Sequence, residues 1–242
     1  MHDDGVFDQA IAENYDRIHG DGSSAAERLV ASVLRDLAFD GTALEFAIGT
    51  GRIAVPLHHA GVRVQGIELS AAMVDQLQQK PEGADIPAVV GDMTTTRVDG
   101  AFSLVFLVYN TIDNLTTQDA QVACFANAAA HLTTGGHFVI ETLVPPIQKI
   151  PFGETMRAFN RSDTHWGIDE FDVVTQNYAS HHVRLEAETY VKNTVPFRYA
   201  WPAELDLMAR MAGMRLVDRW ADWDKSPFTA TSPSHVSVWR KD

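Results

Sequence analysis

With a single cysteine, Cys124, among 242 residues, the chain has no means of closing an intrachain disulfide. Cys124 falls in the apolar helical pattern Val122, Phe125, Ala126, Ala129, where a thiol is a buried, inert hydrophobe rather than a nucleophile. No uninterrupted apolar run approaches the ~20 residues of a membrane helix. The opening Met1-His2-Asp3-Asp4 is acidic and lacks the basic and apolar segments of a signal peptide, so a cytoplasmic location is expected. Positive charge is scarce: 19 Lys and Arg stand against 32 Asp and Glu, a formal net charge of −13. The Lys and Arg residues are scattered, and such a surface repels phosphate backbones and anionic membranes, which argues against nucleic acid or membrane as partner. No ligand cluster with zinc spacing occurs, and adjacent His58-His59 and His181-His182 diverge on a helix or a strand, so no metal is expected.

What the chain does have is a soluble globular composition, 45% hydrophobic and 21% charged, at a length that suits one large α/β domain or one domain with an insertion. Its organising stretch runs from Ala43 to Ala54. A short apolar run turns at Gly49-Thr50-Gly51 and continues helically through Ile53, Val55, Pro56 and Leu57. Backbone N–H groups converge there, and no Cβ blocks a ligand's approach. Gly49-x-Gly51-x-x-Ala54, with Glu68 about 20 residues on, also fits the dinucleotide fingerprint, so an NAD(P)-dependent oxidoreductase is the competing reading.

The lead-in and the sequel separate the two. Glu45 sits four residues before Gly49 at the end of the first strand, and Gly91-Asp92-Met93 ends a further apolar run one βα unit after Glu68. Together these resemble the class I S-adenosylmethionine-dependent methyltransferases, in particular those acting on natural products and amino sugars. Glu45-x-Ala47-x-Gly49-x-Gly51 is similar to their first motif, with Ala47 in place of its first glycine. Gly66-Ile67-Glu68-Leu69-Ser70 resembles the acid closing their second strand, and Gly91-Asp92-Met93 the residues flanking the adenine. The resemblance is close over roughly residues 40–145. It implies a Rossmann-like, mostly parallel seven-stranded sheet with an antiparallel last strand, and S-adenosylmethionine as cofactor.

Along the chain, Phe7-Asp8 and Tyr15-Asp16 fall in an N-terminal segment that either packs on the core or serves as a lid. The resemblance implies that Tyr15 closes over the cofactor. Ser24-x-x-Glu27 is a capping box opening a helix that stops near Asp40-Gly41. Val62–Ile67 reads as the second strand, and Ser70 as the cap of the next helix. A carboxylate at a strand C-terminus, such as Glu68, accepts bonds from both ribose hydroxyls. Residues 86–90 read as the third strand and 102–108 as a central buried one. The resemblance sets Tyr109, Asn110 and Asp113, which follow that strand, beside the methyl group. A helix from Thr117 is expected to run to Leu132 and stop at Gly135-Gly136, with His137–Glu141 as the fifth strand. Alternation from Val183 to Val191 reads as one half-exposed antiparallel strand, with Phe171–Tyr178 as its hairpin partner. Trp201-Pro202 opens a helix, and residues 214–220 and 235–239 are the last two strands, a hairpin that a dinucleotide fold does not require.

Four regions follow: residues 1–40, a helical lid region; 41–146, the cofactor-binding half; 147–200, an antiparallel β insertion forming an acceptor wall or a dimer surface; and 201–242, a helix and hairpin completing the sheet. Base candidates are His165, His181, His182, His235, Glu141 and Asp113. His165 ranks first because it adjoins Trp166 in the proposed wall, and Tyr199 and Trp201 are placed at an apolar or sugar-like acceptor pocket. The expected activity is O- or N-methylation of a small molecule, such as a secondary metabolite, by a protein that forms a homodimer if the insertion is a dimer surface. A non-catalytic S-adenosylmethionine-binding or assembly protein is the further alternative.

Overall fold

A computed structural model describes residues 9–39, 41–186 and 188–242. Phe7-Asp8, Asp40 and Ala187 lie outside the described residues. Two sheets organise the molecule: a seven-stranded one and a separate four-stranded antiparallel one. The large sheet is built from β1 (Thr42–Phe46), β2 (Arg63–Glu68), β3 (Ala88–Val90), β4 (Phe102–Leu107), β5 (Leu132–Leu143), β10 (Met214–Trp220) and β11 (Ser234–Lys241), in the order β10-β11-β5-β4-β1-β2-β3. Pairing is parallel from β3 through β5 and antiparallel where β11 joins β5 and β10. The chain runs outward from β1 to β3, then returns to place β4 on β1's other side. That reversal opens a crevice at the carboxyl ends of β1 and β4.

Both faces of this sheet are covered, which is why its central strands are continuously apolar. On one face Ala43, Val64, Leu104 and Phe106 pack against α2 (Ala25–Ala38) and α3 (Ala54–His59). On the other, Leu44, Phe46, Val105 and Leu107 meet α5 (Gln118–His131) and α6 (Pro202–Met211). Phe125, Phe138 and Trp239 form an aromatic knot there, with ring centroids 5.1–6.1 Å apart. Cys124 is buried in the same cluster, and burial pushes its thiol far up. The capping box at Ser24 and Glu27 is present, Ser70 caps α4 (Ala71–Gln79), and α1 spans Gln9–His19.

Two strand expectations need correction. The Gly135-Gly136 pair does not stop a helix: α5 ends at His131 and the strand begins at Leu132. The pairing shifts between Phe102↔Leu132 and Leu104↔His137, so the glycines sit in an irregular strand segment, with Gly135 at φ 82°. Similarly, Phe171–Tyr178 is not one strand: Phe171 ends β7 (His165–Phe171), residues 172–176 form the connection, and Asn177 and Tyr178 open β8 (Asn177–Glu186). The alternation from Val183 to Val191 crosses the turn into β9 (Thr189–Arg198), where Leu185 pairs with Tyr190 and Glu186 with Thr189. A tight turn preserves the look of period two while moving Val191 to the opposite face from Val183.

With β6 (Met156–Arg161), these strands form the meander β6-β7-β8-β9. Its root is fixed by a buried cation. Arg198, 4% exposed, pairs with Glu204 on α6 at 2.8 Å and donates to Gln121 on α5. Gln121 in turn donates to the Ile112 and Arg198 carbonyls, and Gln176 to Glu204 at 2.7 Å. This network holds the meander over the carboxyl end of the large sheet.

Candidate active site

Turns at the carboxyl ends of four strands converge on the crevice. The first, after β1, holds Ala47, Gly49 and Gly51 at φ 53°, 56° and 83°. A Cβ on Gly51 would come within 2.4 Å of Leu77 Cδ1 on α4, and its φ of 83° is one that side chains rarely adopt, so glycine suits the position on both counts. Ala47 takes up the left-handed backbone that its glycine counterpart would adopt freely, at a cost of about 1 kcal/mol.

Glu45, on β1, is 3% exposed, and burial raises its carboxyl well above the usual range, with Arg52 opposing and Glu68 reinforcing the shift. Its Oε2 is buried without a hydrogen-bond partner among the described residues. A ligand ammonium group would satisfy both that oxygen and the charge. Glu68 ends β2 and accepts from the N–H groups of Gly49 and Ser70, each at 2.9 Å. Leu69 follows it toward the Ser70 cap. Gly91 donates to the Glu68 carbonyl at 2.8 Å. Asp92 Oδ1 accepts from both the N–H and the hydroxyl of Thr94 at 2.7 Å, which fixes the turn carrying Met93. Met93 packs against the core.

The fourth turn follows β4. Tyr109 and Asn110 stand at φ 56° and 60°, consecutive left-handed residues costing about 1–2 kcal/mol each. Glu141 on β5 holds them, its carboxylate accepting from Tyr109 N–H at 3.1 Å and its carbonyl from Asn110 N–H at 3.2 Å. Burial pushes the Tyr109 hydroxyl up to about 12.

Asp113, in the 3-10 turn Thr111–Asn114, is 3% exposed and accepts from Thr142 and Tyr178 hydroxyls at 3.3 Å. Burial lifts its carboxyl from 3.8 to about 7, against the pull of those two bonds and of Arg198. It lines a small cavity of about 30 Å³ with Asp169, Phe171, Tyr178 and Tyr199, closed by Leu143, Pro145 and Pro146. Phe171, Tyr178 and Phe197 stack at 5.0–5.1 Å, and Trp201 meets Tyr199 edge-on at 6.3 Å.

Tyr15 belongs to α1, which is clasped to the first turn. Asp16 accepts from Thr50 Oγ1 at 2.5 Å and pairs with Lys80 at 2.6 Å, while Lys80 donates to the Thr50 carbonyl at 2.7 Å. Arg52 donates to the His19 carbonyl at 2.5 Å and lies 3.4 Å over the Tyr109 ring. Sequence reasoning missed Thr50, Arg52 and Lys80. A basic side chain just past a glycine turn was the available signal for Arg52; Lys80, 30 residues from Thr50, gave none.

Other residues named from sequence are elsewhere. His165 begins β7, six residues and about 20 Å of strand from Phe171, and is not beside Asp113. Trp166 is 53% exposed on the opposite face of β7, its indole donating to the Ser162 carbonyl. His181 bonds Thr194 on that outer face. His235 is fully buried against Ser237 Oγ at 2.8 Å, and burial pushes it down to about 4. Among the described residues no group of three or more His, Cys, Asp or Glu is arranged to hold a metal.

A family model described as a methyltransferase domain matches residues 43–136. The solved CcbJ methyltransferase from Streptomyces caelestis is 36% identical, with 96% of each chain covered and a TM-score of 0.82. The cypemycin N-terminal methyltransferase of a Streptomyces species is 29% identical over 247 residues, 98% of each chain. The structure of S-adenosylmethionine-bound CalS10, an amino pentose methyltransferase from Micromonospora echinaspora, shares the fold over 100% of both chains at a TM-score of 0.67 and 18% identity. These relationships displace the oxidoreductase reading of the glycine turn. On this sheet order, and with kinship spanning 96% of both chains at 36% identity, the chain belongs to the class I S-adenosylmethionine-dependent methyltransferases.

Proposed function

We propose that this methyltransferase N-methylates a small amine-bearing acceptor, a secondary metabolite such as an amino sugar. The observation that carries the reading is the cavity at the strand ends, where two carboxylates, Asp113 and Asp169, face stacked aromatic rings. A carboxylate pair in an aromatic cage suits a protonated amine, by charge and by cation–π attraction. The names of the cypemycin N-terminal and amino pentose methyltransferases, both nitrogen-directed, lend support.

Bound S-adenosylmethionine supplies an electrophilic methyl group on a sulfonium. In our reading Glu45 receives its ammonium group, Gly49 and Gly51 admit it, and Glu68 with Leu69 holds the ribose. Gly91, Asp92 and Met93 flank the adenine, and Tyr15 and Tyr109 close over the reacting end. Asn110 orients the acceptor. Asp113, poised near neutrality, takes its proton and leaves the nitrogen lone pair free to attack. Tyr199 and Trp201 line the acceptor pocket, whereas Trp166 on the outer face takes no part in it.

The region assignments belong to the same proposal: 1–40 as lid, 41–146 as cofactor half, 147–200 as acceptor wall, and 201–242 completing the sheet. The outer face of the meander is where a homodimer would form. No helix among the described residues is long and apolar enough to cross a membrane, and a cytoplasmic enzyme is proposed.

The test uses matched acceptors that share one skeleton and differ in bearing an amine, an alcohol or a carboxylic acid, with products identified by mass. Methylation of the amine is expected. Methylation of the alcohol or acid alone would refute the reading.

A further inference from the structure

Residues 178, 180, 182 and 184 of β8 point to one face, and Tyr178 identifies it as the face over the active site. Opposite them on β7 stand Phe171, Asp169, Gly167 and His165. A continuous series of hydrogen-bonding groups lies on this face. Asp169, at the cavity, bonds Ser180. Ser180 Oγ is 3.2 Å from His182 Nε2, His182 Nδ1 is 2.9 Å from His165 Nε2, and His165 Nδ1 is 2.6 Å from the Asn160 amide. Each imidazole therefore faces the cavity through Nε2 and the sheet's far end through Nδ1.

The arrangement is built rather than incidental. The two rings are nearly coplanar, 11° apart. Phe159 covers both edge-on, at 5.4 and 6.3 Å, and occupies space that a Cβ at Gly167 would claim, 2.2 Å from its ring. The charged groups facing the series are Arg184 beside both histidines and Arg157 beside Asp169, while His181 acts on His182 and Asp169 from the outer face. Burial and the Arg184 charge lower both histidines, so they are neutral at pH 7, as carriers must be.

We propose that Asp169, Ser180, His182 and His165 form a proton exit line from the acceptor pocket to the far end of the small sheet. The inference rests on the amine reading above. When an ammonium acceptor is methylated, its nitrogen forms the C–N bond and the electron pair of the broken C–S bond stays on sulfur. The product is again an ammonium, so one proton is released per turnover. Asp113 takes that proton from the nitrogen, and it crosses the shared cavity to Asp169, then to Ser180 Oγ as the hydroxyl proton moves to His182 Nε2. The Asn160 Nδ2 amide donates to His165 Nδ1 in the structure; once that amide turns its oxygen to the ring, His182 releases its Nδ1 proton to His165 Nε2, and His165 releases its own Nδ1 proton to water beside Asn160. Ser180 and His182 are positioning and relay groups, whereas Asp169 touches the acceptor.

Two measurements test the line. The first needs no acceptor: imidazole 15N resonances of the whole protein at constant pH. Asp169→Asn shifts both His182 and His165, and adding Ser180→Ala abolishes the His165 response. A His165 resonance indifferent to Asp169→Asn overturns the line. The second is turnover on the amine found in the matched panel. Ser180→Ala and His182→Gln each lower kcat about tenfold with the S-adenosylmethionine KM unchanged, and small imidazole buffers restore the rate. Full rates and an unchanged pH profile in both variants overturn the line alone. A wild-type enzyme inert toward every amine overturns the amine reading instead.

Discussion

Replacing Asp113 by Asn separates the stability cost of this carboxylate from its use. Burial carries its pKa from 3.8 to about 7. Between those values the folded protein holds a proton that the unfolded chain has released, so the group's contribution to stability falls as pH rises from about 4 to about 7 and is flat above. From pH 5 to pH 8 the group crosses the upper two units of that window, which at 1.36 kcal/mol per unit comes to about 3 kcal/mol. Asparagine keeps the size and the partners Thr142 and Tyr178 but does not ionise. Asp113→Asn is therefore expected to gain about 3 kcal/mol relative to wild type between pH 5 and pH 8. Urea unfolding followed through the five tryptophans at both pH values reads the difference directly. The same variant should lose about a hundredfold or more in turnover, together with any rate limb near neutrality. A stability difference between the two proteins that is the same at pH 5 and pH 8 would refute the buried, protonatable carboxyl.

Glu45→Gln removes the charge whose second oxygen lacks a partner, and S-adenosylhomocysteine affinity measured calorimetrically should fall by about 1.5–3 kcal/mol; unchanged affinity would sink the assignment. Ala47→Gly relieves a left-handed alanine and should raise the urea midpoint by up to about 1 kcal/mol of stability, whereas a lower midpoint would mean the strain is absent. Lys80→Ala cuts the links to Asp16 and Thr50, so amides of Gln9–His19 should exchange faster while the β-sheet core keeps its protection. Equal protection of that helix in both proteins would show that the clasp does not hold it.

The sequence alone determined the sheet and pointed to the proposed cofactor end, because both are written locally. The apolar runs of β1 and β4, the glycine turn, and the acids Glu45, Glu68 and Asp92 each lie within a few residues of the element they terminate, and strand and helix periods read directly. Local signals misled where one pattern carried two structural readings. The alternation through residues 183–191 ran across a hairpin turn, and the glycines at 135–136, which resemble a helix stop, belong to an irregular strand segment.

Tertiary structure alone brought together the residues of the proposed acceptor end. Asp113 meets Tyr178 across 65 residues, and Arg198 meets Gln121 across 77, separations that no pattern encodes. It also divided neighbours that sequence had joined: His165 and Trp166 point to opposite faces because strand side chains alternate. Which face of a strand looks into a site is fixed by what packs beneath it, here the Arg198 network and the Asp113–Tyr178 bond.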